Sequence, residues 1–425
     1  MPTPPFSIPS VPSTAAAARR LSGRLRRRVD SADVVYLVTT SGFPNYGDEL
    51  ITEAWLRLLA VRRPTARVVV DSPRPGHAAL LLRHANKRAV FVDTLWQFVH
   101  YANSDDPVGV DPDAPWEWVG HAASHLGVSP RDDAGVDALL QAGTIHLVGG
   151  GFVNAMWPHH RWLIPAIAAV AERTGARAVA TGAGLTPSET GPAHEAMLAA
   201  AARFDVFDVR DAPTEQMLAG LPGLSRTGDD AWLSPRVPTT QTPPGSGSAG
   251  SGVVLCAQSD LTDSFTWDDR TGVDALASFV RAVLDDWDVP GSDVTVVECI
   301  PGHDYTIPTL LGDRLDGARI IPFRTAWHDS LPTGGTWLST RYHPHMLAAA
   351  GGASGVAVSA SPDYYATKHQ ALVDAGSRWT VVAGRVDETP ERPTAGGFTV
   401  DAVRANVADK RELARRLYPV GIRLR

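Results

Sequence analysis

An alternation that runs twice along the chain constrains its fold more than any other feature. Short apolar runs alternate with amphipathic ones from about residue 33 to 235, and the pattern restarts near residue 253. The first apolar run, "DVVYLVTT", is followed by "GDELITEAWLRLLA", where Leu50/Ile51, Ala54/Trp55 and Leu58/Leu59 recur every four residues. That spacing gives a helix one apolar face. "RVVVDS", "RAVFVD", "TIHLVGG", "ARAVATG" and "FDVFDVR" read as further buried strands. Strands separated by helices form βα units and a parallel sheet. The second series is "GVVLCAQS", "DVTVVECI", "ARIIPF", "TWLST", "GVAVSA" and "WTVVAG", with a helix over "VDALASFVRAVLDDW" and a closing helix from about Asp401 to Leu417. Between the two series lies "RVPTTQTPPGSGSAGSG", residues 236–252, whose Pro, Gly and Ser content and lack of period mark a linker.

The expected fold is therefore α/β: two doubly wound, Rossmann-like domains facing a cleft. The predicted divisions are a leader at 1–32, a first domain at 33–235, the linker, and a second domain at 253–425. A length of 425 residues also exceeds what one ordinary core holds. A net charge of −7 argues against a nucleic-acid partner, which selects for a basic face. Cys256 and Cys299 both lie in apolar runs and read as buried thiols of a reducing compartment, which points to the cytoplasm. No apolar run approaches the roughly 18–20 residues of a membrane span. The leader is rich in Pro, Ala and Ser and then arginine, without the order of a secretory signal. It is expected to be disordered. The alternative is a basic helix, through Leu21, Leu25 and Val29, that docks weakly on an anionic membrane surface.

In open parallel sheets ligands bind beyond the carboxyl ends of the strands, and the unusual residues collect there. "SGFPNYGDE" follows the first strand; Gly42 and Gly47 read as turn glycines, and Asn45 and Asp48 stand at a helix start, with Asp48 as the expected cap. "LVGGGFVN" and "ATGAGLTP" put Gly149, Gly150, Gly151, Gly182 and Gly184 after two further strands, where backbone can approach a ligand. Neither stretch is a dinucleotide or triphosphate loop. Arg210 and Asp211 end a strand, and a guanidinium suits carboxylate or phosphate. His303 and Asp304 follow a strand of the second domain without metal-ligand spacing, so no metal is expected. "MWPHHRWL" lacks that spacing too and reads as a surface helix start.

"TWLSTRYHPHML" places Arg341 and His343 just past a strand end. If the chain stays extended there, the two point to one side, with Pro344 then opening a helix and His345 facing elsewhere. Lys368 lies at the start of the helix after the next strand.

Taken in order, "GFPNYGDELI", "VGGGF", "TGAGLTP", "FDVFDVRDAPTEQML", "GDDAWL" and "STRYHPHMLAAAGGASGVAVSASPDYYATKHQALVDAG" resemble the motifs of the polysaccharide pyruvyl transferase family, over about residues 36–415. Residues 94–127, rich in tryptophan, match none of these motifs and read as an acceptor-specific insertion. The resemblance implies a cytoplasmic enzyme of cell-envelope polysaccharide biosynthesis on a glycosyltransferase-B-like fold. Its donor is phosphoenolpyruvate, its acceptor a glycan or a lipid- or nucleotide-linked sugar, and its product a cyclic ketal. No cofactor or metal is required.

That reaction asks for cations to hold the donor, with Arg210, Arg341 and Lys368 as candidates. It asks for a general acid, for which His343 is suited. Asp48 or Asp304 could orient or deprotonate hydroxyls; Asn45, His303 and the glycine turns complete the expected substrate-binding set. Two other readings use the same architecture: a nucleotide-sugar-dependent glycosyltransferase, and a catalytically silent sugar-binding protein.

Overall fold

The computed structural model of the chain describes residues 34–242, 247–383 and 387–420; the leader at 1–32 lies outside them. In the first domain β1 (Val34–Val38) leads through α1 (Tyr46–Arg62) to β2 (Arg67–Asp71), α2 (Pro75–Leu82) and β3 (Ala89–Val92). The helices α3 (Thr94–Ala102), α4 (Pro115–Ser124) and α5 (Asp133–Leu140) follow. The chain returns through β4 (Thr144–Leu147), a 3-10 turn at Pro158–Trp162, α6 (Leu163–Thr174) and β5 (Arg177–Ala183). It continues through α7 (Pro192–Ala201), β6 (Val206–Val209), α8 (Ala212–Met217) and β7 (Leu224–Arg226). The strands pair in parallel in the order β3-β2-β1-β4-β5-β6-β7. Because the order reverses between β1 and β4, a crevice opens there at the carboxyl edge.

The second domain repeats the plan. β8 (Val253–Cys256) is followed by a short hairpin, β9 (Thr266–Trp267) and β10 (Arg270–Thr271), then α9 (Gly272–Asp286) and β11 (Val294–Val297). Next come α10 (Thr306–Leu311), β12 (Arg319–Ile321), α11 (Phe323–Asp329), β13 (Thr336–Ser339) and α12 (Tyr342–Ala350). β14 (Ser354–Val358), α13 (Pro362–Asp374) and β15 (Thr380–Val382) complete it. Its parallel order is β12-β11-β8-β13-β14-β15, again reversing beside the first strand. Two doubly wound α/β domains thus face one another. β13 lies between β8 and β14, so Ser339 pairs with both Cys256 and Ala357 and the residues just past it emerge at the middle of the sheet.

The sheets are coated by the apolar faces that the periodicity implied. Leu50, Ile51, Ala54, Trp55 and Leu59 of α1 are all buried, in a cluster that also holds residues of the second domain. Full burial of each such aliphatic side chain contributes roughly 1.5–3 kcal/mol. Residues 94–127 include α3 and α4, which bury Trp96, Phe98, Val99 and Val119 against the other face of the first sheet.

The last helix, α14 (Val400–Leu417), spans both domains. Near its start Asn406 donates to the Ala375 carbonyl of the second domain. Farther along, Lys410 is fully buried, 2.7 Å from Asp208 and 3.0 Å from Asp230 of the first. Tyr418 packs on Trp55 and lies 3.0 Å from His146. Among the described residues no helix is long and apolar enough to cross a membrane.

Candidate active site

A cavity of about 840 Å³ opens between the domains. Its walls are the turns after β1, β2, β4 and β6 on one side and after β8, β11 and β13 on the other, with Lys368 of α13 at its base. It brings together Asn45, Asp48, Gly151, Arg210, His303, Arg341, His343 and Lys368 of the residues singled out from sequence.

Arg341 and His343 reach the cavity by a route the sequence did not foretell. The strand ends at Ser339, Arg341 caps α12, and the helix is under way at Tyr342. Helical geometry, not strand alternation, therefore sets their directions. Pro344 falls at the third helical position, where its missing N–H would have had no intrahelical acceptor. His343 rests on Gly47, where any Cβ would overlap the imidazole ring. Gly47 is thus a helical residue kept small for a neighbour, not a turn glycine. On its other side His343 Nε2 lies 3.4 Å from Oδ1 of Asp229. Asp229 is fully buried and caps the short 3-10 turn at Asp230–Leu233 by accepting from the Ala231 N–H. Burial works against its charge, but His343 and Arg210 hold its carboxyl well below the ordinary value. His345 does face elsewhere: it is buried, stacked on Trp379, and bonded to His369 and Ser377.

Asn45, not Asp48, caps α1; its Oδ1 accepts from the Gly47 N–H at 3.1 Å. Its Nδ2 donates to Asp48 at 3.0 Å, which frees Asp48 to face the cavity from the first helical turn. Burial raises the Asp48 carboxyl above its ordinary value against the pull of His343 and Lys368.

Arg210 is buried, 3.4 Å from Asp229 and 3.6 Å from Asp211, with Tyr342 beneath its guanidinium. Lys368 is buried beside it. Burial first, then the neighbouring Arg210, push the Lys368 ammonium well below its ordinary value, against the opposing pull of Asp48. A buried corner crowded with cations favours an anion. Gly151 and Gly184 keep this corner open, because a Cβ at Gly184 would meet Arg210 and one at Gly151 would meet Arg210 and Lys368.

Arg341 is differently employed. Its guanidinium donates to Asp304 and Asp260, both at 2.6 Å. Asp304 is fully buried and also accepts from the N–H groups of Cys299 and Ile300. It organises the loop after β11 and does not line the cavity. His303 is exposed at the rim, 4.0 Å from Asp260. Cys256, Cys299 and Asp304 lie close enough to share an ion, but the guanidinium already on Asp304 makes this a poor cation site.

Gly149, Gly150, Gly182 and Gly184 do not line the cavity. Gly149 and Gly182 pack on the buried Asp230, which also accepts from Trp55 Nε1 and the Gly149 N–H. Gly150 pairs with Ala183 at the edge of β5. Gly149, Gly150 and Gly182 serve the packing of the sheet edge, and Gly184 makes room for Arg210.

Four contributors went unassigned from sequence. Asp229 could have been found in "GDDAWL", where one aspartate turns to His343 and the next to the core. Asp260 and Tyr342 carry no local signal. The fourth is an aromatic and imidazole wall formed by Trp96 and His100 of α3 with Phe152, Trp157, His159 and His160. The run read as a surface helix start is this wall.

The sequence model of the polysaccharide pyruvyl transferase family matches residues 45–291, more than half of the chain. No curated protein matches the sequence significantly. Among solved structures, the chain is similar to a protein assigned as a UDP-N-acetylglucosamine 2-epimerase from Listeria monocytogenes. The TM-score is 0.48 and the identity 11%, over 92% of this chain and 91% of that one. It is also similar to the UDP-GlcNAc 2-epimerase of Neisseria meningitidis, with TM-score 0.46, 11% identity, and 91% and 94% of the two chains covered. A glycosyltransferase from Rickettsia africae has TM-score 0.46 and 11% identity, with 92% and 100% covered.

Proposed function

The chain belongs to the polysaccharide pyruvyl transferase family, and from that premise we propose that it moves a pyruvyl group from phosphoenolpyruvate onto two hydroxyls of one sugar, forming a cyclic ketal. The observation that carries the reading is the convergence, in one interdomain cavity, of a buried cationic corner with a histidine held by a buried carboxylate.

The donor carries a carboxylate and a phosphate, and Arg210 and Lys368, which line the cavity beside Gly151, are the cations assigned to hold it. His343 gives a proton to the methylene carbon of the donor, which leaves an oxocarbenium-like centre at C2. One sugar hydroxyl adds its oxygen to C2 and loses its proton. The bond from C2 to the phosphate oxygen breaks with its electron pair leaving on phosphate, which takes up the proton released by the first hydroxyl, and the second hydroxyl closes the ring and gives its proton to the deprotonated His343, restoring the acid. Asp229 fixes the orientation of the His343 ring. Asp48, whose raised carboxyl titrates closer to neutrality than an exposed one, accepts a hydroxyl proton. Arg341, saturated by two carboxylates, braces the second-domain wall rather than binding the donor directly. Phosphoenolpyruvate is a cytoplasmic metabolite, so the reading puts the reaction in the cytoplasm.

The test is phosphate release from phosphoenolpyruvate across free, lipid-linked and nucleotide-linked glycans, with the ketal identified by mass spectrometry. His343→Gln should lower turnover by about 10² to 10⁴ with donor binding and melting temperature kept. A stable His343→Gln protein with full transfer removes this residue from the mechanism. Turnover of a nucleotide sugar with no consumption of phosphoenolpyruvate overturns the function.

A further inference from the structure

Two parts of the cavity lining differ in chemistry, and the start of α2, which brings Arg74 and His77, is a third. Of the two, one holds Arg210, Lys368, Arg341 and the carboxylates that balance them. The other is the wall from α3 and residues 152–160, and its cavity-lining members are all aromatic rings or imidazoles, with no lysine, arginine or carboxylate among them. These two adjoin: Gly151 abuts Arg210 and Lys368, Phe152 follows it, and His160 donates through Nδ1 to the Phe152 carbonyl at 2.9 Å. Trp157 stacks on His160 at an interplanar angle of 11°, and Trp96 meets the same ring edge-on at 4.9 Å. His159 packs against both His160 and His100.

We propose that this wall is the acceptor subsite, and that it seats the apolar face of an uncharged pyranose, with the ring's hydroxyls bonded by His159 and His100. The inference rests on the pyruvyl-transfer reading, since it is the donor in the adjoining corner that makes the wall an acceptor site. An axial or alternating C–H face of a pyranose is attracted to an aromatic plane, while its rim of hydroxyls asks for groups that both donate and accept. A neutral imidazole is such a group. Burial lowers His159 to about 4, with His100 adding to the effect, and lowers His160 to about 3; the wall is thus uncharged at neutral pH. An anionic sugar would want a cation here and an amino sugar a carboxylate, and the wall has neither. A lipid tail would offer His159 and His100 no hydrogen-bond partner, at a cost.

Saturation-transfer NMR on the full chain, without donor, tests this with the methyl glycosides of galactose, glucose, mannose and N-acetylglucosamine. Methyl glucuronide and uridine are the counter-probes. At least one neutral glycoside should bind, Trp157→Ala should weaken it roughly tenfold, and Trp157→Phe should retain most of the affinity. Calorimetry with phosphoenolpyruvate on the same proteins should show donor affinity unchanged in both variants. The subsite is overturned if no neutral glycoside binds the wild type, if Trp157→Ala binds it as well as wild type does, or if only glucuronide or uridine binds. Should the wild type fail to bind phosphoenolpyruvate, it is the pyruvyl-transfer reading that falls, and the glycoside signal still decides the sugar subsite. Melting curves of the two variants separate lost binding from lost fold, and the Phe variant keeps the comparison meaningful if Ala unfolds the turn.

Discussion

At the scale of single residues, the site is built from pairs that are distant in sequence. Gly47 offers a way to disturb one pair without touching the chemistry. Alanine is a better helix former than glycine by about 1 kcal/mol, which offsets part of the cost of the overlap with His343, so Gly47→Ala should lower the melting temperature only modestly. Its methyl group would displace His343, however, and misplacement by about 1 Å can cost about 10² in rate. Full activity in a stable Gly47→Ala protein would show that His343 need not sit where it does. Lys368 yields a second expectation. Its ammonium is held well below its ordinary value by burial and Arg210. A bound anion stabilises the charged form, so binding takes up a proton, and donor affinity falls as pH rises through that window. Calorimetry in two buffers of different ionisation enthalpy should detect the uptake, and Lys368→Met should abolish it; wild-type heats that do not depend on the buffer contradict the assignment. The strand-end residues were legible because parallel sheets put ligands there. The partnerships were not: His343 meets Asp229 across 114 positions, and Arg341 meets Asp260 across 81. No local pattern encodes such a meeting, and a histidine pair in "WPHH" looks the same on a surface as on a cavity wall.

At the scale of elements, buried parallel strands announce themselves as runs of Val, Ile and Leu, which is why "VVYLV" and "VVLC" could be placed from sequence. β7 escaped because its three residues, "LSR", lie at the sheet edge and are half polar, and the hairpin at Thr266–Thr271 is two residues a side. α12 starts two residues before Pro344, because proline is tolerated anywhere in the first turn and so does not mark the opening residue. α14 is legible as a helix from its period, but nothing in "VADKREL" says that Lys410, alone of its charged residues, turns inward to two carboxylates. Lys410→Met should leave Asp208 and Asp230 buried without their cation, a loss of roughly 3–5 kcal/mol. Urea unfolding followed by circular dichroism should show the lowered midpoint; the neighbouring Lys410→Arg, which keeps the charge, should lose less. Equal stability of wild type and Met variant would mean that the pair adds nothing to the fold.

At the scale of the molecule, the two sheets present their carboxyl edges to one cavity, and a reaction passing through an oxocarbenium needs that cavity shut against water. The linker at 236–252 is the expected joint, although Arg236, Gln241 and Ala249 each tie it to its surroundings through hydrogen bonds. Limited proteolysis should cut within 236–252 first, and more slowly with phosphoenolpyruvate present; a first cut inside 253–400 would move the joint elsewhere. The path of α14 adds a constraint of another kind. Because the first domain's Asp208, Asp230 and His146 are completed by Lys410 and Tyr418, the second domain is threaded into the first as an insertion, with the chain leaving and returning. A ribosome delivers those last contributors some 180 positions after Asp230. The amino-terminal sheet must therefore wait for the cation between its two buried aspartates until the whole of its neighbour has been synthesised, and order of synthesis and order of folding part company.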